Sequence, residues 1–278
     1  MPMPRLACLA HLACVLLIAS SCAQAAPVLK LWRLDCGQIR VDDLNDYSDT
    51  FAYASKSMRF VASCYLIQHD QAYLLWDTGL PASSLGQSLD GPGAKEDALA
   101  VTLVDQLARL GVAPAQITFV GISHYHYDHV GQASNFPDAT LLMGQADIDA
   151  PGRGAQPDAS QLDRWIYGKG AMRRVTGDRD VFGDGTVVML NLPGHTPGHH
   201  GLLVKLPKTG AVILSGDTAH FRENYASDGV PSWNADRAQS VASMQRLKAI
   251  EKNLHATLII QHEPADVKKL PAFPQAAQ

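Results

Sequence analysis

Short apolar runs punctuated by glycine, proline and aspartate dominate this chain, and two longer stretches carry apolar residues at helical spacing. Residues 28–34 alternate and predict a strand, followed by a polar stretch over 37–56, rich in Asp, Asn and Ser, that predicts a long loop. Residues 60–67 and 72–76 predict a pair of hairpin strands ending at Asp77-Thr78-Gly79. Leu99, Leu103, Leu107 and Leu110 predict a helix over 96–110, with Gly111 as its C-terminal stop. Short strands are predicted over 117–122, 140–143, 187–192, 201–205, 211–214 and 257–260. A second helix over 238–253 is marked by Val241, Met244, Leu247 and Ile250, and the stretch 151–162 reads as an insertion or lid. No repeat or low-complexity segment interrupts this order, so residues 26–278 read as one domain with strand clusters in both halves.

The N-terminus stands apart from that pattern. Residues 1–25 hold Arg5, an apolar run over 6–19, and Ala23-Gln24-Ala25, the small-x-small pattern of a signal-peptide cleavage site. The apolar run is short for a membrane span, so no stable membrane anchor is expected. Cys22 could be read as a lipid acceptor, but Ala19 stands where leucine is usual three positions before such a cysteine. A periplasmic or secreted protein is therefore expected. Of the five cysteines, Cys8, Cys14 and Cys22 fall in the signal, leaving Cys36 and Cys64 either disulfide-bonded or buried as two thiols.

With 46% hydrophobic residues the chain can bury a substantial core, and a formal net charge of -4 without a basic run argues against a nucleic-acid partner. A small-molecule substrate fits better.

The chemistry concentrates in His124-x-His126-x-Asp128-His129, which follows the predicted strand 117–122. Burying four such side chains without partners would cost several kcal/mol each, roughly, so a shared ion is the economical explanation. In extended backbone His124 and His126 point the same way and can clamp one ion, while Asp128 and His129, past the turn, can face a second. His195, Asp217 and His262 each follow an apolar strand as well, which makes coincidence a poor explanation.

Together these segments, from Asp77 to His262, resemble the five motifs of the metallo-β-lactamase superfamily. The resemblance implies an α/β fold, a four-layer αββα sandwich with metals at one edge of its sheets. It further implies that His124, His126 and His195 hold one ion, Asp128, His129 and His262 the other, and that Asp217 bridges. Asp77 would orient a ligand rather than bind metal. His199 would be a local hydrogen-bonding residue, and His11, His69 and His255 carry no motif context. Two divalent ions are implied, with zinc the default for a nitrogen/oxygen set that iron, cobalt or manganese also suits.

Within the superfamily, Asp217 departs from the true zinc β-lactamases, and His126 departs from the flavodiiron pattern, which has Glu there. Residues 215–225 (SGDTAHFRENY) and 259–274 (IIQHEPADVKKLPAFP) look most like the N-acyl homoserine lactonase branch. The implied mechanism has water attack the lactone carbonyl, Asp128 or Asp217 carry the proton to the leaving alkoxide, and His220 assist the tetrahedral intermediate. His220 is a departure: the better known lactonases of this branch have tyrosine three residues after the bridging Asp. An apolar acyl cleft is expected from Phe51, Tyr53, Met58 and Phe60, with Trp165, Ile166 and Tyr167 from the insertion. The rival readings are a secreted phosphotriesterase or other ester or β-lactam hydrolase of the same superfamily, and a periplasmic metal-binding module without catalysis.

Overall fold

The computed structural model describes residue 1 and residues 27–278. The expected export signal, with Cys8, His11, Cys14 and Cys22, lies outside the described residues.

The first sheet holds β1 (Leu29–Val41), β2 (Met58–His69), β3 (Ala72–Trp76), β4 (Asp97–Ala98), β5 (Ile117–Ile122), β6 (Thr140–Gly144) and β7 (Met172–Val175), in the order β4-β1-β2-β3-β5-β6-β7. The second holds β8 (Arg179–Asp180), β9 (Val187–Asn191), β10 (His200–Leu206), β11 (Gly210–Leu214) and β12 (Thr257–Ile259), in the order β12-β11-β10-β9-β8. Alternation along the strands gives each sheet two apolar faces. Leu31, Tyr65, Leu74 and Trp76 of the first sheet meet Met189, Leu202, Val204 and Leu214 of the second in a shared inner core.

Helices cover both outer faces. Leu103 and Leu107 of α1 (Leu103–Arg109), Val130 of α2 (Tyr127–Val130), Ile148 of α3 (Gln145–Ile148) and Trp165 of α4 (Asp163–Ile166) pack with Leu34, Leu66 and Val120. On the second sheet, Met244 and Leu247 of α6 (Arg237–Leu254) bury against Leu203, Ile213 and Leu258, worth about 1.5–3 kcal/mol for each side chain. The short α5 (Arg222–Ser227) lies between Asp217 and α6 in the chain. The result is the expected four-layer αββα arrangement.

Two expectations need correction. The first strand does not stop at 34: it passes through a bulge between Asp35 and Gln38 and stays paired with β2 to Val41, so the polar side chains of 37–41 sit on a strand rather than in a loop. The helix expected over 96–110 begins at Leu103, because Asp97 and Ala98 pair with β1 and Thr102 caps the helix by accepting from the Asp105 amide. Leu99 is buried outside that helix. No strand is expected at β7 or β8, because Arg173, Arg174 and Arg179 leave them little apolar signal.

Cys36 and Cys64 are bonded to each other, which ties β1 to β2. Among the described residues no helix is long and apolar enough to cross a membrane.

Candidate metal centre

Parallel pairing decides where the chemistry collects. β3 runs parallel to β5, and β11 parallel to β12, so Asp77, His124, Asp217 and His262 all leave the carboxyl end of a strand at one edge of the molecule. Such ends are where α/β sheets place ligands.

β5 ends at Ile122 and delivers His124 just past its end; His126 then caps α2, which places Asp128 and His129 in its first turn. His195 comes from the turn after β9. There Gly194 has φ 131°, and a Cβ on it would stand 2.2 Å from the Ser240 amide of α6. Asp217 follows Gly216, at φ 51°, where a Cβ would approach His199 Nε2 to 2.6 Å. Both glycines let chain segments meet that a side chain would hold apart.

Three imidazole nitrogens converge. His124 Nε2 lies 2.9 Å from His126 Nδ1 and 3.1 Å from His195 Nε2, with 3.0 Å closing the triangle between His195 and His126. Beside them, Asp217 Oδ2 is 3.3 Å from His195 Nε2 and 3.6 Å from His124 Nε2. Its other oxygen, Oδ1, is 3.1 Å from His262 Nε2 and 3.3 Å from His129 Nε2. Asp128 Oδ2 completes that second group, 3.5 Å from His129 and 3.6 Å from His262. The seven residues thus form two donor groups that share one carboxylate.

Two of the seven donors, and His220 beside them, carry an atom that the protein leaves without a partner. His129 Nε2, His220 Nε2 and Asp217 Oδ1 are buried without a hydrogen bond, a state proteins avoid unless something else satisfies the atoms. Nitrogen and carboxylate donors in this number suit one or two divalent ions.

Electrostatics divides the groups. Burial holds His124 and His195 well below the usual histidine range and pushes His126 down to about 4, so these rings are neutral and offer lone pairs. Burial also opposes charge on His129 and His262, but Asp128, Asp217 and, for His129, Asp77 outweigh it and raise both. Burial alone would raise Asp217; the surrounding His262, His129, His220 and His124 reverse that and hold its carboxyl well below the ordinary value.

A shell of hydrogen bonds orients the rings. Asp77, at φ 57°, accepts from the Ser123 amide at 2.7 Å and from His129 Nδ1 at 2.9 Å. His262 Nδ1 donates to the Val61 carbonyl at 3.0 Å. His199 is not among the donors: it accepts from the Asp217 amide at 2.8 Å and donates to the Leu192 carbonyl.

The centre opens into a cavity of about 440 Å³. His220 lines it, its Nε2 3.3 Å from Asp217 Oδ2, with its ring 4.9 Å from that of Tyr47 and 5.8 Å from that of Trp233.

Of the aromatics expected to line an acyl cleft, only Phe60 does so. Tyr53 packs against Phe221, and Met58 joins the same cluster. Trp165 is buried in the outer core, donating to the Ala139 carbonyl, with Ile166 packed there too. Phe51 and Tyr167 are 78% and 72% exposed, away from the cavity lining. The walls come instead from Tyr47, Trp233, Tyr125, Tyr127 and Ile39. None of these stands in a metal motif except Tyr125 and Tyr127, whose place between the ligand-type residues was the available signal.

The chain is similar to known proteins of one family. The family profile of the metallo-beta-lactamase superfamily matches residues 58–262. The N-acyl homoserine lactonase AttM of Rhizobium radiobacter is 32% identical over 188 residues, 61% of this chain and 68% of the relative. An N-acyl homoserine lactonase of Bacillus thuringiensis is 25% identical over 259 residues, 89% of this chain and 98% of the relative. Among solved structures, a quorum-quenching N-acyl homoserine lactone lactonase superposes with a TM-score of 0.74 at 24% identity, covering 89% of this chain and 98% of that one. AidC, described as a dizinc quorum-quenching lactonase, gives 0.62 at 16% identity, covering 90% and 91%.

Proposed function

The chain belongs to the metallo-β-lactamase superfamily, and on that premise we propose that it is a metal-dependent hydrolase that opens the lactone ring of N-acyl homoserine lactones. The observation that carries this reading is the position of Asp217, whose two oxygens face two separate donor groups. His124, His126 and His195 would hold one ion, Asp128, His129 and His262 the second, and Asp217 would span them; zinc is the proposed metal. Bound there, two divalent ions would supply a water of lowered pKa and a Lewis acid for the carbonyl oxygen.

The protein's own groups account for the remaining needs. Water adds to the lactone carbonyl carbon, the ring C–O bond breaks, and the proton lost by the water goes to the leaving alkoxide. Asp128 and Asp217 face the cavity and are the carboxylates able to carry it. His220 stands where it can donate a hydrogen bond to the oxygen that gains charge. The acyl chain would lie against Tyr47, Phe60 and Trp233.

We also propose export to the periplasm or medium, directed by residues 1–25 as a cleaved signal, leaving 26–278 as the hydrolase. The Cys36–Cys64 disulfide is at home in an oxidising compartment.

The test is turnover of N-hexanoyl and N-decanoyl homoserine lactone, followed by acid release, beside a chromogenic phosphotriester. Lactone turnover orders of magnitude above that of the phosphotriester supports the proposal; the reverse order would replace it with the phosphotriesterase reading.

A further inference from the structure

The segment between α5 and α6 touches the candidate centre through Trp233, Asn234 and Ala235. Trp233 lies over the cavity, and Asn234 turns the other way, its Oδ1 3.0 Å from His195 Nδ1. The hydrogen bonds behind Asn234 fix which end of its amide faces the histidine. Ser240 Oγ donates its only proton to the Asp236 carbonyl at 2.8 Å, so towards Asn234 it can only accept, and it does so from Nδ2 at 2.9 Å. Oδ1 must then point at His195. An oxygen there demands a proton on Nδ1, and a neutral imidazole with its proton on Nδ1 presents its lone pair at Nε2. Nε2 is the atom that meets His124 and His126.

The backbone locks the same register. The Ala235 amide donates to the His195 carbonyl at 3.2 Å and the Asp236 amide to the Gly194 carbonyl at 2.9 Å. The Asp236 side chain caps α6 by accepting from the Gln239 amide at 2.9 Å. The absence of a side chain on Gly194 lets α6 begin this close.

We infer that Asn234 is a positioning residue, which sets the tautomer and ring direction of His195 and thereby the affinity of the His124/His126/His195 group for its ion. The inference rests on the two-ion reading proposed above. Asn234 touches no reacting atom; it acts through His195, braced by Ser240.

The test is zinc affinity, measured by competition with a chromogenic chelator on the purified, zinc-loaded chain. Asn234→Leu, similar in shape but with no acceptor, should bind one of the two zinc ions roughly 10- to 100-fold more weakly. Asn234→Asp keeps the acceptor and should hold both ions at least as tightly as the wild type. Ser240→Ala leaves the acceptor but frees the amide to flip, and should give a smaller loss in the same direction if Asn234→Leu does not fold. A purely structural role would instead make the Leu and Asp variants equally weak. That result, or two tightly held ions in Asn234→Leu or unchanged affinity in Ser240→Ala, overturns the inference while leaving the two-ion reading intact. A wild-type chain that binds no zinc overturns both.

Discussion

Asp77 orients one ring in each donor group: its carboxylate accepts a hydrogen bond from His129 Nδ1 at 2.9 Å, and through Ser123 it also sets His124. Ser123 Oγ donates to Asp77 Oδ2 at 2.9 Å, which leaves the hydroxyl to accept from His124 Nδ1 at 3.0 Å. Both rings are thereby turned with Nε2 towards Asp217.

Asp77→Asn should therefore weaken the binding of both ions, by roughly 10- to 100-fold in affinity, because an amide NH2 placed among the Ser123 and His129 donors finds no acceptor. Asn234→Leu should weaken only one. Chelator titration of the two variants distinguishes them, and a selective loss in Asp77→Asn would contradict the shared path through Ser123.

Trp233 is 47% exposed at the cavity wall, where its ring would meet the acyl chain of the proposed substrate. Trp233→Ala should cost about 1–2 kcal/mol of apolar contact, roughly 5- to 30-fold in kcat/KM, for a decanoyl lactone, and far less for a butanoyl one. Equal losses for both chain lengths would place the acyl group elsewhere.

Asp147 supplies a pH dependence of stability away from the donors. Its buried carboxyl accepts from Thr196 Oγ1 and the Gly198 amide, and burial still pushes it up to about 7. The native chain thus keeps a proton that the unfolded chain gives up near pH 4, roughly. Stability from this group is full below that pH and falls as pH rises towards about 7, by at most about 4 kcal/mol. Urea unfolding of Asp147→Asn between pH 5 and pH 8 should show a flatter profile than the wild type; parallel profiles would contradict the assignment.

The Cys36–Cys64 bond closes a loop of sequence separation 28. In the chain-entropy account this is worth about 3–4 kcal/mol. A Cys36→Ser/Cys64→Ser double variant should lower the melting temperature by several degrees without changing zinc stoichiometry, since neither sulfur reaches the donor groups; loss of an ion would tie the bond to the site.

The ligand-type residues were legible because each needs only a strand end and a polar side chain that a core would not tolerate, and motif spacing records both. His124, His126, Asp128 and His129 lie in one six-residue window. The pocket was not legible. Tyr47 and Trp233 reach His220 from segments that are far apart in the chain, at ring distances of 4.9 and 5.8 Å, and nothing local to either residue announces the meeting. Trp165 misled for the same reason, since an aromatic near a lid serves a core as readily as a cleft. Asn234 carries no motif at all; its role exists only once α6 is docked against Gly194. Strand pairing hid the start of α1, because Asp97 and Ala98 are held by β1 rather than by their own helical spacing.

Two ions spanned by Asp217 are proposed to drive lactone opening. The most direct measurement is hydrolysis of N-hexanoyl homoserine lactone by metal-stripped protein as zinc is added back, with Asp217→Asn in parallel. Activity should climb until two equivalents are bound, and the variant should hold less zinc and lose at least about 100-fold in turnover. Full activity in the stripped protein, or wild-type turnover in Asp217→Asn, would contradict it.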